Sequence, residues 1–207
     1  MDTPEDIPGA FTARIYDPVL YFALKNIRQD IIRLMPDHGA RILDLCCGTG
    51  EQLKRLSDAG FGNLTGVDLS PDMLKVAARG NKIATLLECD VQHTGLPGAS
   101  FDIIIISFAV HEKPAEMQTK MIAEARRLLA PGGQFILVDF SLDDQAKKTS
   151  KIAVDMIERL AGKEHYRNFK AYVSNGGMSP VIKDCFEIRQ QIRHARGAAS
   201  IWIVTPR

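Results

Sequence analysis

"RILDLCCGTGEQ" (residues 41–52) runs a short apolar stretch straight into two adjacent cysteines and a Gly-Thr-Gly turn. The stretch from Arg41 to Leu45 has the length of a buried strand, and Leu53 and Leu56 are spaced for a helix over about 49–59 that closes at Gly60. Strand, glycine turn and helix make half of a βαβ unit, so the neighbouring segments decide the fold. Downstream the alternation continues. "NLTGVDL" (63–69) reads as a second strand, with Ser70 as N-cap and Pro71 as first residue of a helix through Arg79. "ATLLECD" (84–90) and "FDIIIISF" (101–108) follow as strands, the second apolar on both faces as a covered parallel strand must be. A helix between Pro114 and Ala130 stops at Pro131-Gly132-Gly133, and "QFILVDF" (134–140) is a fifth strand. Beyond Ser141 come a polar stretch, a helix over about 150–161, the segment "KEHYRNFKAYVSNGGMSP", and two strands near 183–193 and 200–205. Upstream, Leu20, Ala23, Ile27, Ile31 and Leu34 mark one stripe of an amphipathic helix over 17–35.

Alternating strands and helices imply a parallel sheet with right-handed crossovers. Only "HARGAA" separates the last two strands, too little for a helical crossover, so they must pair antiparallel. The expected fold is α/β: a doubly wound, mostly parallel, seven-stranded Rossmann-like sheet with an antiparallel edge strand and helices on both faces. Its 207 residues suit a single domain, divided into an N-terminal helical lid (1–36), a ligand-binding core (37–141), a helical lid (142–180) and a C-terminal strand pair (181–207).

Composition narrows the classes of function. The chain is 45% hydrophobic and 25% charged, as ordinary globular domains are, with a net charge of +1 that gives no overall reason to bind nucleic acid. No apolar run approaches the ~20 residues of a membrane-spanning helix, and the acidic start "MDTPEDIPGAF" is unlike a signal peptide, so a cytoplasmic location without membrane association is expected. Four cysteines without framework spacing are expected as reduced thiols.

In such a sheet ligands bind at the carboxyl ends of the strands, and the polar candidates gather there. Asp44 lies near the end of the first strand, Gly48 and Gly50 allow close backbone approach, and a helix starting near Thr49 or Gly50 aims N–H groups at the turn. Asp68, at the end of the second strand, suits a pair of ribose hydroxyls, and Asp90, ending the third, suits an exocyclic amine on a base. A dinucleotide fingerprint would place a third glycine where Leu53 stands, and pyrophosphate would sit poorly beside Asp44, so a ligand with a cationic or zwitterionic end is expected.

The blocks "ILDLCCGTGEQL", "GVDLSPDML", "ECDVQHTGLPGASFDIIIISFAVHE" and "LLAPGGQFILVDF" resemble, in order and spacing over about residues 40–140, the class I S-adenosylmethionine-dependent methyltransferases. Within them the resemblance is to the small-molecule group that includes quinone-biosynthesis enzymes. It implies S-adenosyl-L-methionine as cofactor, with Asp44, Cys46, Gly48, Thr49 and Gly50 around its amino acid end and Asp68 bridging its ribose. It further implies Leu69 and Met73 beside the adenine, Asp90 and the Val91 N–H at the adenine edge, Ser107 and Phe108 along the methionine portion, and Tyr16 as a lid. Relatives usually carry glycine or alanine at the position of Cys46. No CxxC or nearby histidine completes a tetrahedral set, so Cys46 and Cys47 are expected as packing residues and no metal site is expected.

The methyl acceptor is expected to be a small molecule with an O, C or N acceptor atom. His111 is the candidate general base, with Glu112 second, because they follow the fourth strand where the family's acceptor pocket opens. His165, Tyr166, Arg167 and Asn168 are candidate acceptor contacts, or else Tyr166 and Phe169 dock a surface helix. Two other readings remain: a non-catalytic cofactor-binding scaffold, and an RNA methyltransferase resting on the arginines of the last 25 residues. A homodimer is a possible assembly.

Overall fold

The computed structural model of the chain describes residues 24–80 and 83–207. A helix, α1, covers residues 24–33 of the described chain. There follow β1 (Ile42–Leu45), α2 (Glu51–Asp58), β2 (Leu64–Asp68), α3 (Pro71–Gly80), β3 (Thr85–Glu88), β4 (Phe101–Ser107), α4 (Ala115–Leu128) and β5 (Leu129–Phe140). Then come α5 (Lys148–Leu160), α6 (Lys163–Ser174), the short α7 (Met178–Ile182), β6 (Phe186–His194) and β7 (Ala199–Pro206).

The seven strands form one sheet in the order β3-β2-β1-β4-β5-β7-β6. The pairs β2–β1, β1–β4 and β4–β5 are parallel, whereas β7 lies antiparallel between β5 and β6. The closing hairpin expected from "HARGAA" thus forms at the edge of the sheet, with β7 as its inner strand. In β4 and β5 the register shifts between Phe101 and Ile103, where the Pro-Gly-Gly corner enters the ladder rather than preceding it.

Period-two alternation sends successive strand residues to opposite cores. Leu43, Leu45, Ile104 and Ile106 face one layer with Met121, Ile122 and Ala125 of α4 and Ile182 of α7. Ile42, Ile103, Ile105, Ile136 and Val138 face the other, against Ile27 and Ile31 of α1 and Leu53 and Leu56 of α2. Burial on both faces is why β1 and β4 read as unbroken apolar runs. A third cluster joins Phe140 to Val154 of α5 and Phe169 of α6, fixing those two helices over the end of β5. The apolar side of the segment after the core therefore docks as a surface helix would, with Phe169 buried.

Among the described residues no helix is long and apolar enough to cross a membrane. Cys46, Cys47, Cys89 and Cys185 are free thiols.

Candidate active site

The strand order reverses between β1 and β4, and the chain leaves both strands through strained corners. Cys46, directly after β1, has φ 63°, and Phe108, directly after β4, has φ 53°, left-handed conformations that cost an L-residue roughly 1–2 kcal/mol. Gly48 and Gly50 take the same region at φ 53° and 69° without that cost. Cys46, unlike the two glycines, bears this strain. Its thiol, like that of Cys47, is pushed up by burial, Cys46 to about 12, so both stay protonated at neutral pH.

Between these corners lies a cavity of about 570 Å³, within the range of small-ligand sites. One end is walled by Asp44, Cys46, Gly48, Thr49, Glu51 and Gln52, the middle by Met73, Ser107 and Phe108, and the other end by His111, Glu112, Glu158 and His165. Leu24, Ile27, Arg28 and Ile31 of α1 roof it. Two polar groups on this wall are unpaired among the described residues: both amide atoms of Gln52, which is 6% exposed, and Ser107 Oγ. Buried polar groups in this state cost roughly 1–3 kcal/mol each unless something binds them, so the wall is built for a polar occupant. We predict that Gln52→Leu raises the stability of the unliganded protein by about that amount while weakening ligand binding. Chemical denaturation and calorimetry on one preparation check both signs, and a destabilised variant would contradict it.

Asp44 is 3% exposed; burial, then the charge of Asp68, raises its carboxyl to about 7, with Arg28 acting in the opposite sense. A carboxyl held there accepts a ligand cation by giving up its proton. Binding of a ligand ammonium beside it should therefore release a proton below about pH 7, the dissociation constant falling up to about tenfold per pH unit on approach from the acid side and levelling above. Titrations in buffers of different ionisation enthalpy read the proton count directly. An affinity unchanged between about pH 5.5 and 7 would contradict this placing of the cation.

Asp68 sits next along the strand ends. One carboxylate oxygen accepts the Gly48 N–H at 2.7 Å and the other the Ser70 N–H at 2.9 Å, so the residue ties the glycine turn to the start of α3. A carboxylate has about four lone-pair positions, and two remain for hydroxyls. Leu69 is 67% exposed beside it, an apolar surface open to a planar ring. The Cys89 N–H donates to the Asp68 carbonyl, and Asp90 follows, accepting from the Gln92 backbone and side chain. Asp68, Leu69, Asp90 and Val91 thus line up outside the enclosed cavity, while Asp44, Cys46, Gly48, Thr49, Met73, Ser107 and Phe108 line it. Tyr16 lies outside the described residues.

At the far end the side chains form one connected network. Asp139, fully buried near the end of β5, holds His111 Nδ1 at 2.6 Å and the His111 N–H at 3.1 Å. His111 Nε2 faces Glu158 Oε2 at 3.4 Å, and the same oxygen meets His165 Nε2 at 2.5 Å. His165 Nδ1 in turn lies 3.4 Å from Glu112. Burial alone would lower the basicity of His111; Asp139, then Glu158, outweigh it and raise the pKa to about 10. His111 is thereby drawn towards its protonated form between the two carboxylates.

The four acceptor candidates on α6 separate. His165 lines the cavity, but Tyr166 donates to Asp155 on α5 at 2.8 Å and Arg167 is a surface residue paired with Glu164. Asn168 donates to the Glu112 carbonyl at 2.8 Å, so it positions the loop and does not line the pocket. A helix turns ~100° per residue, so only one of these four neighbours can face the cavity squarely. Asp139, Glu158 and Gln52 are polar residues at or beside the cavity that sequence reasoning missed. Asp139 had a signal, an acid inside an otherwise apolar strand; Glu158 had none, because its partners are a helix and a strand away.

Residues 42–133 match a family described as a methyltransferase domain. The demethylmenaquinone methyltransferase of Listeria welshimeri is 34% identical over 122 residues, 55% of this chain and 51% of that enzyme. The demethylmenaquinone methyltransferase of Bacillus licheniformis is 28% identical over 156 residues, 72% of this chain and 66% of its own length. The chain spans about half the length of the first of these relatives. Among solved structures, a SAM-dependent methyltransferase from Aquifex aeolicus superposes with a TM-score of 0.67 at 16% identity, covering 97% of this chain and 99% of its own. Magnesium protoporphyrin IX methyltransferase from Synechocystis, solved with bound SAH, gives 0.65 at 18% identity, covering 100% and 90%. Over residues 42–133 the chain is thus similar to a methyltransferase domain, and a stretch of 122 residues is similar to demethylmenaquinone methyltransferases.

Proposed function

We propose that the protein transfers the methyl group of S-adenosylmethionine to a small-molecule acceptor. One observation carries this reading: a single cavity joins the glycine turn and Asp44 at one end to the histidine network at the other, with Ser107 and Phe108 between. The amino acid end of the cofactor lies against Asp44 and the N-terminal turn of α2, its ribose against Asp68, and its adenine over Leu69 towards Asp90. Ser107 and Phe108 would then flank its methyl-bearing end, and His111, Glu112 and His165 would line the space left for the acceptor. Positioning of this kind supplies up to ~7–11 kcal/mol of the barrier without any catalytic side chain. Ile27, Ile31, Phe108 and Phe140 give the cavity apolar walls, and His111, Glu112 and His165 give one polar corner, which suits a compact, mostly apolar acceptor with one polar reacting group.

The test pairs calorimetry with S-adenosylhomocysteine and a labelled-methyl assay over phenols, quinols, amines and acidic carbon compounds. Binding with transfer to at least one acceptor is expected; binding without transfer to any would leave a non-catalytic scaffold. We further expect His111→Ala to lower turnover by about 10²–10⁴-fold with cofactor affinity unchanged, because the imidazole lies at the acceptor end alone. Wild-type turnover in that variant would remove His111 from the reaction.

A further inference from the structure

We propose that His111, Glu158 and His165 bind one divalent transition-metal ion, with zinc as the ion their donor set suits, leaving an open coordination position for a hydroxyl oxygen of the methyl acceptor. The inference rests on the methyltransferase reading and deepens it by naming a hydroxyl-bearing small molecule as the acceptor class.

The three residues come from three elements, the loop after β4, α5 and the first turn of α6, and each offers a ligand atom within 4.8 Å of the others. Two imidazoles and one carboxylate with a further position open to a cavity is the donor set of a catalytic rather than a structural zinc site. At metal–ligand bonds of about 2.0–2.1 Å, tetrahedral ligand atoms stand about 3.3 Å apart. The separation of His111 Nε2 from Glu158 Oε2, 3.4 Å, already has that value. The 2.5 Å contact of His165 Nε2 with Glu158 Oε2 is a hydrogen bond across a proton that the ion would replace, and a small rotation of the partly exposed His165 opens it.

The surroundings point the same way. Metal-bound histidines are usually held from behind by a carboxylate that fixes tautomer and ring orientation. Asp139 does this for His111 at 2.6 Å, leaving Nε2 towards Glu158, and Glu112 stands behind His165 Nδ1 at 3.4 Å. Glu158 is 1% exposed and Asp139 0%, a concentration of buried carboxylate that imidazolium protons offset without an ion and a dication offsets with one. Lys113 is paired with Glu112 at 2.6 Å, at the edge of this group. All three ligand residues line the cavity that holds Ser107 and Phe108, so an open position has access to the space in front of the methyl donor.

The chemistry balances without a further reagent. On coordination the acceptor's hydroxyl loses its proton to solvent, since a bound divalent ion lowers the pKa of an oxygen ligand by several units. The oxygen then forms the O–CH₃ bond as the S–CH₃ bond breaks, and the sulfur keeps that electron pair. The products are the methylated acceptor and S-adenosylhomocysteine.

The test uses the full chain, stripped with a chelator and titrated with zinc(II) by calorimetry and with cobalt(II) by absorption spectroscopy. One ion per chain is expected, with cobalt d–d bands of nitrogen and oxygen ligands and no thiolate charge-transfer band. His165→Ala and Glu158→Gln should each weaken zinc binding by more than about a hundredfold, beyond what loss of an outer partner does. His165→Ala removes a partly exposed ring and Glu158→Gln keeps side-chain size, so a fold check by circular dichroism accompanies both. No stoichiometric zinc uptake, undiminished uptake in the folded variants, or a thiolate band placing the ion at Cys46 would overturn the site. S-adenosylhomocysteine is titrated into the same stripped protein: its binding without zinc uptake sinks the metal site alone, and its failure to bind sinks the methyltransferase reading.

Discussion

Asp68→Ala abolishes measurable micromolar binding of S-adenosylhomocysteine. In the proposed site two charge-assisted hydrogen bonds to ribose hydroxyls, each worth roughly 1.5–3 kcal/mol, would vanish with the carboxylate, which is at least about a hundredfold in affinity. The same oxygens also hold the Gly48 and Ser70 N–H groups, so the variant loosens the glycine turn as it loses its contacts to the ligand. Asp68→Asn separates the two contributions. Its amide keeps one acceptor oxygen without charge, and charge-assisted bonds are about twice as strong as neutral ones, so an intermediate loss of about tenfold is expected. Calorimetry of both variants checks the order. Full affinity in Asp68→Ala would mean that the ribose does not lie at the end of β2.

The second large effect is on stability. Asp139→Ala should cost about 3–5 kcal/mol, because it removes one of the two carboxylates facing a buried imidazole and leaves two backbone N–H groups without this acceptor. The carboxylate receives the backbone N–H groups of His111 at 3.1 Å and Phe140 at 2.7 Å as well as the His111 ring. Glu158 remains opposite Nε2 at 3.4 Å, while Phe140 and Phe169 pack their rings against His111. Urea denaturation at neutral pH with chelator present is the measurement. A loss under about 1 kcal/mol would show that the network contributes little to the fold.

Much of this architecture was legible because its signals are local. The run Ile103 to Ile106 could only be a strand covered on both faces, and the Gly48–Gly50 turn after Leu45 could only be followed by a helix start. The short "HARGAA" link forced an antiparallel pair, although the position of β7 between β5 and β6 is set by long-range pairing that no spacing records. At the site, Asp44, Ser107 and His111 were found because each follows or ends a strand whose end is predictable. The His111–Glu158–His165 cluster was hidden for the opposite reason. Its members are separated by 47 and 7 residues, and the bend at Gly162, with φ 116°, brings the last two together. Tyr166, Arg167 and Asn168 were drawn in with His165 because composition identifies a segment, whereas helical rotation decides which residue faces inward.

The proposition beneath all of these results is that the rim of the sheet, from Asp44 across to Asp68, holds an adenosyl amino acid. Titration of the wild-type protein with S-adenosylhomocysteine, set beside titration with a dinucleotide, measures it most directly. One molecule of S-adenosylhomocysteine bound per chain at micromolar affinity, with no heat from the dinucleotide, is the predicted result; binding of the dinucleotide instead, or of neither, would contradict it.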